Sequence, residues 1–409
     1  MTMDMNDRDS DLDQYDESAE MASTSMRAGE SLEFVEDANE AGEEGSEMDI
    51  PEPNQEGLQI FEDDSVQGFF SHTEPVYAVA CSPIDPNDVV TGGGDDRVYR
   101  WNLSTGAEHP VPLSKHNDSV ISVAYNHDGS MFASAGMDGV VRVYSVNDSV
   151  LLHTLEGPAT EIEWMSWHPK GPVLAVGCSD GTGWVWHISP SHANVLQVLS
   201  QDSTQTCGEF TGLEGKALCT GSEDGTLRVW SVKTGQPSTI IKAGPLYHQA
   251  PIVSLHSHPT QPIILTGSQD NTAKWVHIES GKVLGSIAGH NSPVEAVAFP
   301  SVQLGHNWAA TGAMDGSIFI IDLDRGAIRV RLSQGDGIVK LKWLRNRPYL
   351  LCSCSLDGSI KIWDSRTGDC VQEIRGHTAP VYDIAISADE RFIVSGSDDH
   401  TALVFAINQ

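Results

Sequence analysis

The sequence predicts an all-β protein: an eight-bladed β-propeller closed by an N-terminal strand and preceded by a disordered acidic tail. Three observations lead there. The stretch Leu351 to His377 reads as three short strands joined by two sharp turns. Its first turn recurs eight times, with successive aspartates 43, 42, 44, 46, 45, 42 and 42 residues apart. Residues 1–64 differ in composition from everything that follows.

Within Leu351–His377, Leu356-Asp357-Gly358-Ser359 is a hairpin signal, because Asp-Gly readily adopts the positive φ values of tight turns. Ile360, Ile362 and Trp363 favour a second strand. Thr367-Gly368-Asp369 turns the chain again before Cys370 to Ile374. One such unit cannot bury its own faces. A period of about 40–45 residues with this content is the mark of a four-stranded propeller blade.

The 409 residues carry 57 acidic and 24 basic side chains, a net charge of −33. Residues 1–64 hold 22 acidic and 2 basic residues; 65–409 hold the other 35 and 22, a net of −13. The first segment buries too little apolar surface to offset its conformational entropy, so it is expected to be disordered. A phosphate backbone is repelled by both parts, which argues against direct nucleic-acid binding. A basic protein partner is attracted. No apolar run approaches the ~20 residues of a membrane-crossing helix, and no secretory signal is visible. With seven cysteines and no Cys-x-x-Cys pair, a reduced, cytoplasmic protein is expected, with nuclear traffic left open.

The turn aspartates are Asp95, Asp138, Asp180, Asp224, Asp270, Asp315, Asp357 and Asp399. Six residues after each stands a large or β-favouring side chain: Trp101, Tyr144, Trp186, Trp230, Val276, Ile321, Trp363 and Phe405. A histidine heads five of the units: His72, His116, His248, His290 and His377. Residues 65–409 supply 345 positions, eight blades of about 43 each. The last unit ends after its third strand, so Val66–Phe70 is expected to supply its fourth and close the ring.

These residues resemble the WD-repeat family across 65–409. The resemblance implies that each turn Asp bonds the His, which a strand Ser or Thr links to the Trp. Only the first blade carries the whole set: His72, Thr91, Asp95 and Trp101. Blades 2, 5, 6 and 8 keep the His, Asp and Ser134, Thr266, Thr311 or Ser395 but lack the Trp. Blades 3, 4 and 7 lack the His. The complete buried network is therefore expected once, and a structural role is expected for these Asp and His residues.

Nothing in the chain marks an enzyme, and no cofactor or metal is expected. There is no Gly-x-Ser-x-Gly elbow, Walker loop or His-Glu-x-x-His, and the remaining histidines lack ligand spacing. Binding is expected on the central face lined by the Asp turns and the first residues of each inner strand. The candidates are Tyr77, Met137, Glu163, Trp164, Glu223, Glu295, Met314, Tyr382 and Asp398. Aromatic and Met side chains among carboxylates suit a basic peptide, with Arg stems on rings and heads on Asp or Glu.

The Trp-rich third unit, Glu163 to Trp186, the acidic leader and the closing Asp399 to Phe405 are similar to the family of angio-associated migratory cell proteins. Their fungal counterparts are dedicated chaperones of a large-subunit ribosomal protein, universal L-sixteen. This resemblance implies a chaperone that captures the basic N-terminal segment of that newly made protein before ribosome assembly; the chain is expected to act as a monomer. Two other functions compete. Trp363, Asp364 and Arg366 match a box by which WD-repeat receptors dock on a cullin ubiquitin ligase. A generic scaffold, including one for cell migration, needs no such box.

Overall fold

A computed structural model describes residues 62–211, 214–301 and 306–408. The expected acidic tail lies outside the described residues except for Glu62 to Asp64. Those three are placed: the Asp64 N–H donates to the Arg375 carbonyl at 2.8 Å, and its carboxylate accepts the Arg375 N–H at 2.9 Å. The propeller therefore begins slightly before residue 65.

Among the described residues eight antiparallel sheets follow in chain order, seven of them made only of sequential neighbours. Blade 7 shows the plan, with strands Ile338–Trp343, Leu350–Ser355, Ile360–Asp364 and Cys370–Ile374. The last blade is completed from the other end of the chain. Ser65–Phe69 pairs antiparallel with Ala402–Ala406, placing Phe69 opposite Ala402. The closing strand thus runs one residue earlier than Val66–Phe70, and Phe70 is exposed.

Blade 1 departs from the four-strand expectation. It has three strands, Val76–Cys81, Asp88–Gly93 and Val98–Asn102. Its fourth is reduced to a single bridge between Trp101 and Glu108. Pro110 and Pro112 follow immediately. Proline donates no ladder hydrogen bond, so a regular outer strand cannot extend there.

The core lies between blades rather than within them. One apolar cluster fills each of the eight gaps; Ile263, Leu265 and Trp275 of blade 5, for example, pack on Phe319 and Ile321 of blade 6. The second strand of each blade, flanked on both faces, is the most buried; Leu350–Ser355 is buried throughout. The residue six beyond each turn Asp is also buried, from Val276 at 0% exposure to Trp363 at 5%. A lone unit would expose both of these faces.

Candidate peptide-binding face

Each turn aspartate first serves its own turn. In all eight blades its Oδ1 accepts the backbone N–H two residues on, from Arg97, Val140, Thr182, Thr226, Thr272, Ser317, Ser359 and Thr401, at 2.8–3.1 Å. This local bond is why Asp recurs even where no His is present. The residue just before it donates its N–H to the loop that opens the same blade. Examples are Met137 to Ser119 at 2.9 Å, Glu223 to Thr204 at 3.1 Å and Asp398 to Pro380 at 2.9 Å.

Two residues beyond each such acceptor, the inner strand is irregular. Register shifts skip Tyr77, Ile121, Glu163, Thr206, Val253, Glu295, Val339 and Tyr382, one in each blade. A bulge leaves its extra residue unpaired and re-aims its side chain. The bulge residues and the residues preceding the turns form a double ring around one mouth of the propeller. Its sixteen positions include four carboxylates, Glu163, Glu223, Glu295 and Asp398, and no Lys or Arg.

The ring is uneven. Around blades 3 and 4, burial together with the neighbouring Glu161 and Glu223 carboxylates raises the carboxyl of Glu163 above its ordinary value. Burial alone raises that of Glu295. Around blades 6, 7, 8 and 1 apolar and aromatic side chains join Glu295 and Asp398 in the ring. Met314 and Leu356 close over Gly337. Tyr77 and Tyr382 pack with ring centres 5.7 Å apart, and the Tyr382 hydroxyl donates to Asp398 at 3.2 Å.

The structure thus places Tyr77, Met137, Glu163, Glu223, Glu295, Met314, Tyr382 and Asp398 on one mouth and removes Trp164 from it. Trp164 is 7% exposed and packs with Phe210, Leu218 and Trp230 between blades 3 and 4. Its indole lies against Gly177 and Gly208, where a Cβ would come within 2.0 and 2.2 Å of the ring. It falls one residue past the bulge, where the alternation points inward.

The buried network also differs from expectation. His72 Nδ1 lies 3.1 Å from Asp95 and its Nε2 2.9 Å from Thr91. The Trp101 indole N–H, however, has no hydrogen-bond partner among the described residues; Phe69 of the closing strand stacks on the ring at 5.2 Å. The Trp leg is instead made where no His stands. In blade 7, Trp363 Nε1 donates to Ser353 Oγ at 2.8 Å, and Ser353 donates to Gln334 Oε1 at 2.6 Å. Gln334 Nε2 then donates to Ser359 Oγ, which reaches Asp357 at 2.7 Å. In blade 4, Trp230 donates to Thr220 at 2.9 Å and Gln201 takes the corresponding place. Gln201 and Gln334 each lie 23 residues before their turn Asp, as His72 does. Blade 3 has neither partner: Val176 fills the Ser/Thr position and is buried.

In blades 1, 2, 5, 6 and 8 the turn Asp also accepts the N–H after the His, from Thr73, Asn117, Gln249, Asn291 and Thr378. The aspartate thus staples two loops of the mouth together. At the ligase-box residues, Trp363 is buried, and Arg366 is held by Asp364 at 2.6 Å with its guanidinium 3.8 Å from the Tyr349 ring.

Comparison with known proteins agrees with this architecture. The family model "WD domain, G-beta repeat" matches residues 64–102, 110–145, 149–187, 190–231, 245–275, 281–322, 329–364 and 368–405. The chain is 35% identical over 362 residues to the human angio-associated migratory cell protein, spanning 85% of this chain and 81% of that one. It is 24% identical over 406 residues to the ribosome assembly protein SQT1 of Saccharomyces cerevisiae, spanning 90% and 92%. Among solved structures, Chaetomium thermophilum Sqt1 bound to the N-terminus of the ribosomal protein L10 superposes with a TM-score of 0.78 at 27% identity. That match covers 85% of this chain and all of the other.

Proposed function

Since the chain belongs to the WD-repeat family, and within it to the family of angio-associated migratory cell proteins, we propose that its carboxylate-rich mouth is a chaperone site. It captures the basic N-terminal segment of a newly made large-subunit ribosomal protein and holds it until ribosome assembly. The observation that carries this reading is the double ring: four carboxylates, no basic residue, and a Tyr77–Tyr382 pair opposite the acidic half. The sequence resemblance points to universal L-sixteen as the partner, and a solved relative holds the N-terminus of ribosomal protein L10. A monomer acting in the cytoplasm belongs to the same proposal.

Physically, the acidic half supplies long-range attraction and the aromatic half supplies area. Carboxylates steer a cationic segment and fix its register, while guanidinium stems stack on tyrosine faces. Burial and the neighbouring carboxylates disfavour the charged form of Glu163, and an approaching arginine or lysine relieves that penalty. A labelled peptide from the basic N-terminal segment should bind the full-length protein and weaken as salt is raised. Reversing Glu163 and Glu223 to lysine should cost at least about tenfold in affinity. Undiminished binding by that variant contradicts the assignment of the site.

A further inference from the structure

At the end of the propeller away from the carboxylate mouth, blades 6 and 7 form an arginine corner that the proposed function does not use. Outer strands in this fold are irregular opposite the buried residue six beyond the turn Asp. The skipped outer-strand residues are Leu152, Leu196, Ser238, Leu284, Val371 and, in blade 8, Val66. In blade 6 the skipped residue is Arg329, between Ile328 opposite Ile321 and Val330 opposite Ile320. A charged residue thus stands where its equivalents are aliphatic or small.

The bulge aims Arg329 toward blade 7. Its guanidinium carbon sits 4.1 Å from the centre of the Trp308 ring, and its Nη2 donates to the Arg366 carbonyl at 2.8 Å. His306 stacks on Trp308 at 4.8 Å with ring planes 8° apart. Arg325 and Arg366 share the cleft, which encloses about 790 Å³ above Ala327 and Ile328. Arg366 is neutralised by Asp364 at 2.6 Å and Arg325 approaches Asp322 at 3.7 Å. Arg329 has no carboxylate partner among the described residues, in a chain where acids outnumber bases 57 to 24.

We infer that this corner docks an acidic peptide segment of a partner protein, with a carboxylate on the free donors of Arg329 and an adjacent apolar side chain on Trp308. Stacking on an indole pre-orders the guanidinium and leaves its planar donor fork available for bidentate recognition. Charge complementarity is local. The corner is cationic, whereas a long polyanion such as RNA would also meet the field of a chain with net charge −33. The cleft is separate from the carboxylate mouth, so the inference stands whether or not the chaperone reading holds.

The test uses the full-length protein and a short fluorescein-labelled peptide of Glu and Asp residues with one Leu, followed by anisotropy at low salt. Binding is expected, with a loss of at least about tenfold in Arg329→Glu. Arg329→Leu, which restores the residue type of the equivalent blades, should lose binding with an unchanged melting temperature, separating recognition from folding. Glu163→Gln, on the other face, should bind as the unaltered chain does. Equal affinity of wild type and Arg329→Leu overturns the inference. So does preferential binding of single-stranded RNA at this corner, which would assign it to nucleic acid.

Discussion

Gln334 stands one residue ahead of Gly335-Asp336-Gly337, where no histidine heads blade 7. It nevertheless completes the only described chain that runs from a turn Asp through Ser359, Gln334 and Ser353 to a Trp. Glutamine offers a donor and an acceptor on one planar group, as neutral imidazole does, so the two can exchange in this place. Gln334→Ala leaves the buried Ser353 hydroxyl without its acceptor and should cost about 1–3 kcal/mol in chemical denaturation; Gln334→His should recover part of it. Reading the sequence for histidine alone missed this signal, although the 23-residue spacing to Asp357 was visible. Glu163 carries the opposite prediction. Its carboxyl is raised by burial and by Glu161 and Glu223, so the fold holds that proton more tightly than the unfolded chain does. The resulting penalty to stability is complete at neutral pH and disappears as the solution is acidified. Glu163→Gln should therefore raise the melting temperature at pH 7 while weakening capture of a basic peptide.

Strands and loops show the same division between what patterning specifies and what packing decides. The turn Asp and its six-residue offset located every blade, because an Asp accepting the N–H two residues on is a local device that sequence displays directly. The missing outer strand of blade 1 turns on Pro110 and Pro112, which regular spacing conceals. Closure by Ser65–Phe69 is legible from the unfinished last unit; the stacking of Phe69 on Trp101, which replaces the expected Trp hydrogen bond, is a tertiary matter. Removing residues 1–69 should strip Ala402–Ala406 of its partner and expose Trp101. A fall in melting temperature and strand-edge association are expected relative to a chain lacking only 1–61. The buried histidines that head these loops make the mouth sensitive to acid. Burial lowers the imidazoles of His116 and His248 and brings His290 to about 4. The unfolded chain takes up these protons near pH 6.5, before the fold does. Stability is thus complete above that pH and is lost as it falls toward about 4, His290 alone contributing roughly 3 kcal/mol. Thermal melts across this interval should decline steadily; a flat profile contradicts the assignment of buried neutral histidines.

For the whole molecule, eight gaps filled by eight clusters make a rigid ring, and rigidity lets its two ends carry different chemistry. One mouth gathers Glu163, Glu223, Glu295 and Asp398 with Tyr77 and Tyr382. The far corner gathers Arg325, Arg329 and Arg366. The acidic character of the mouth was legible from charge and from position in the repeat. What was not legible is that the strand-start positions are bulges, since register irregularity depends on the neighbouring strand; Trp164 was misplaced by that one residue. The central claim is that a basic segment lies across this mouth. Cross-linking mass spectrometry tests it directly, using the full-length protein and a basic N-terminal ribosomal-protein peptide bearing a photoreactive residue. Attachment at Tyr77, Met137, Glu163 or Tyr382 is the expected result. Attachment confined to the opposite end, around Arg325 and Arg329, or to the outer edges of the blades would contradict it.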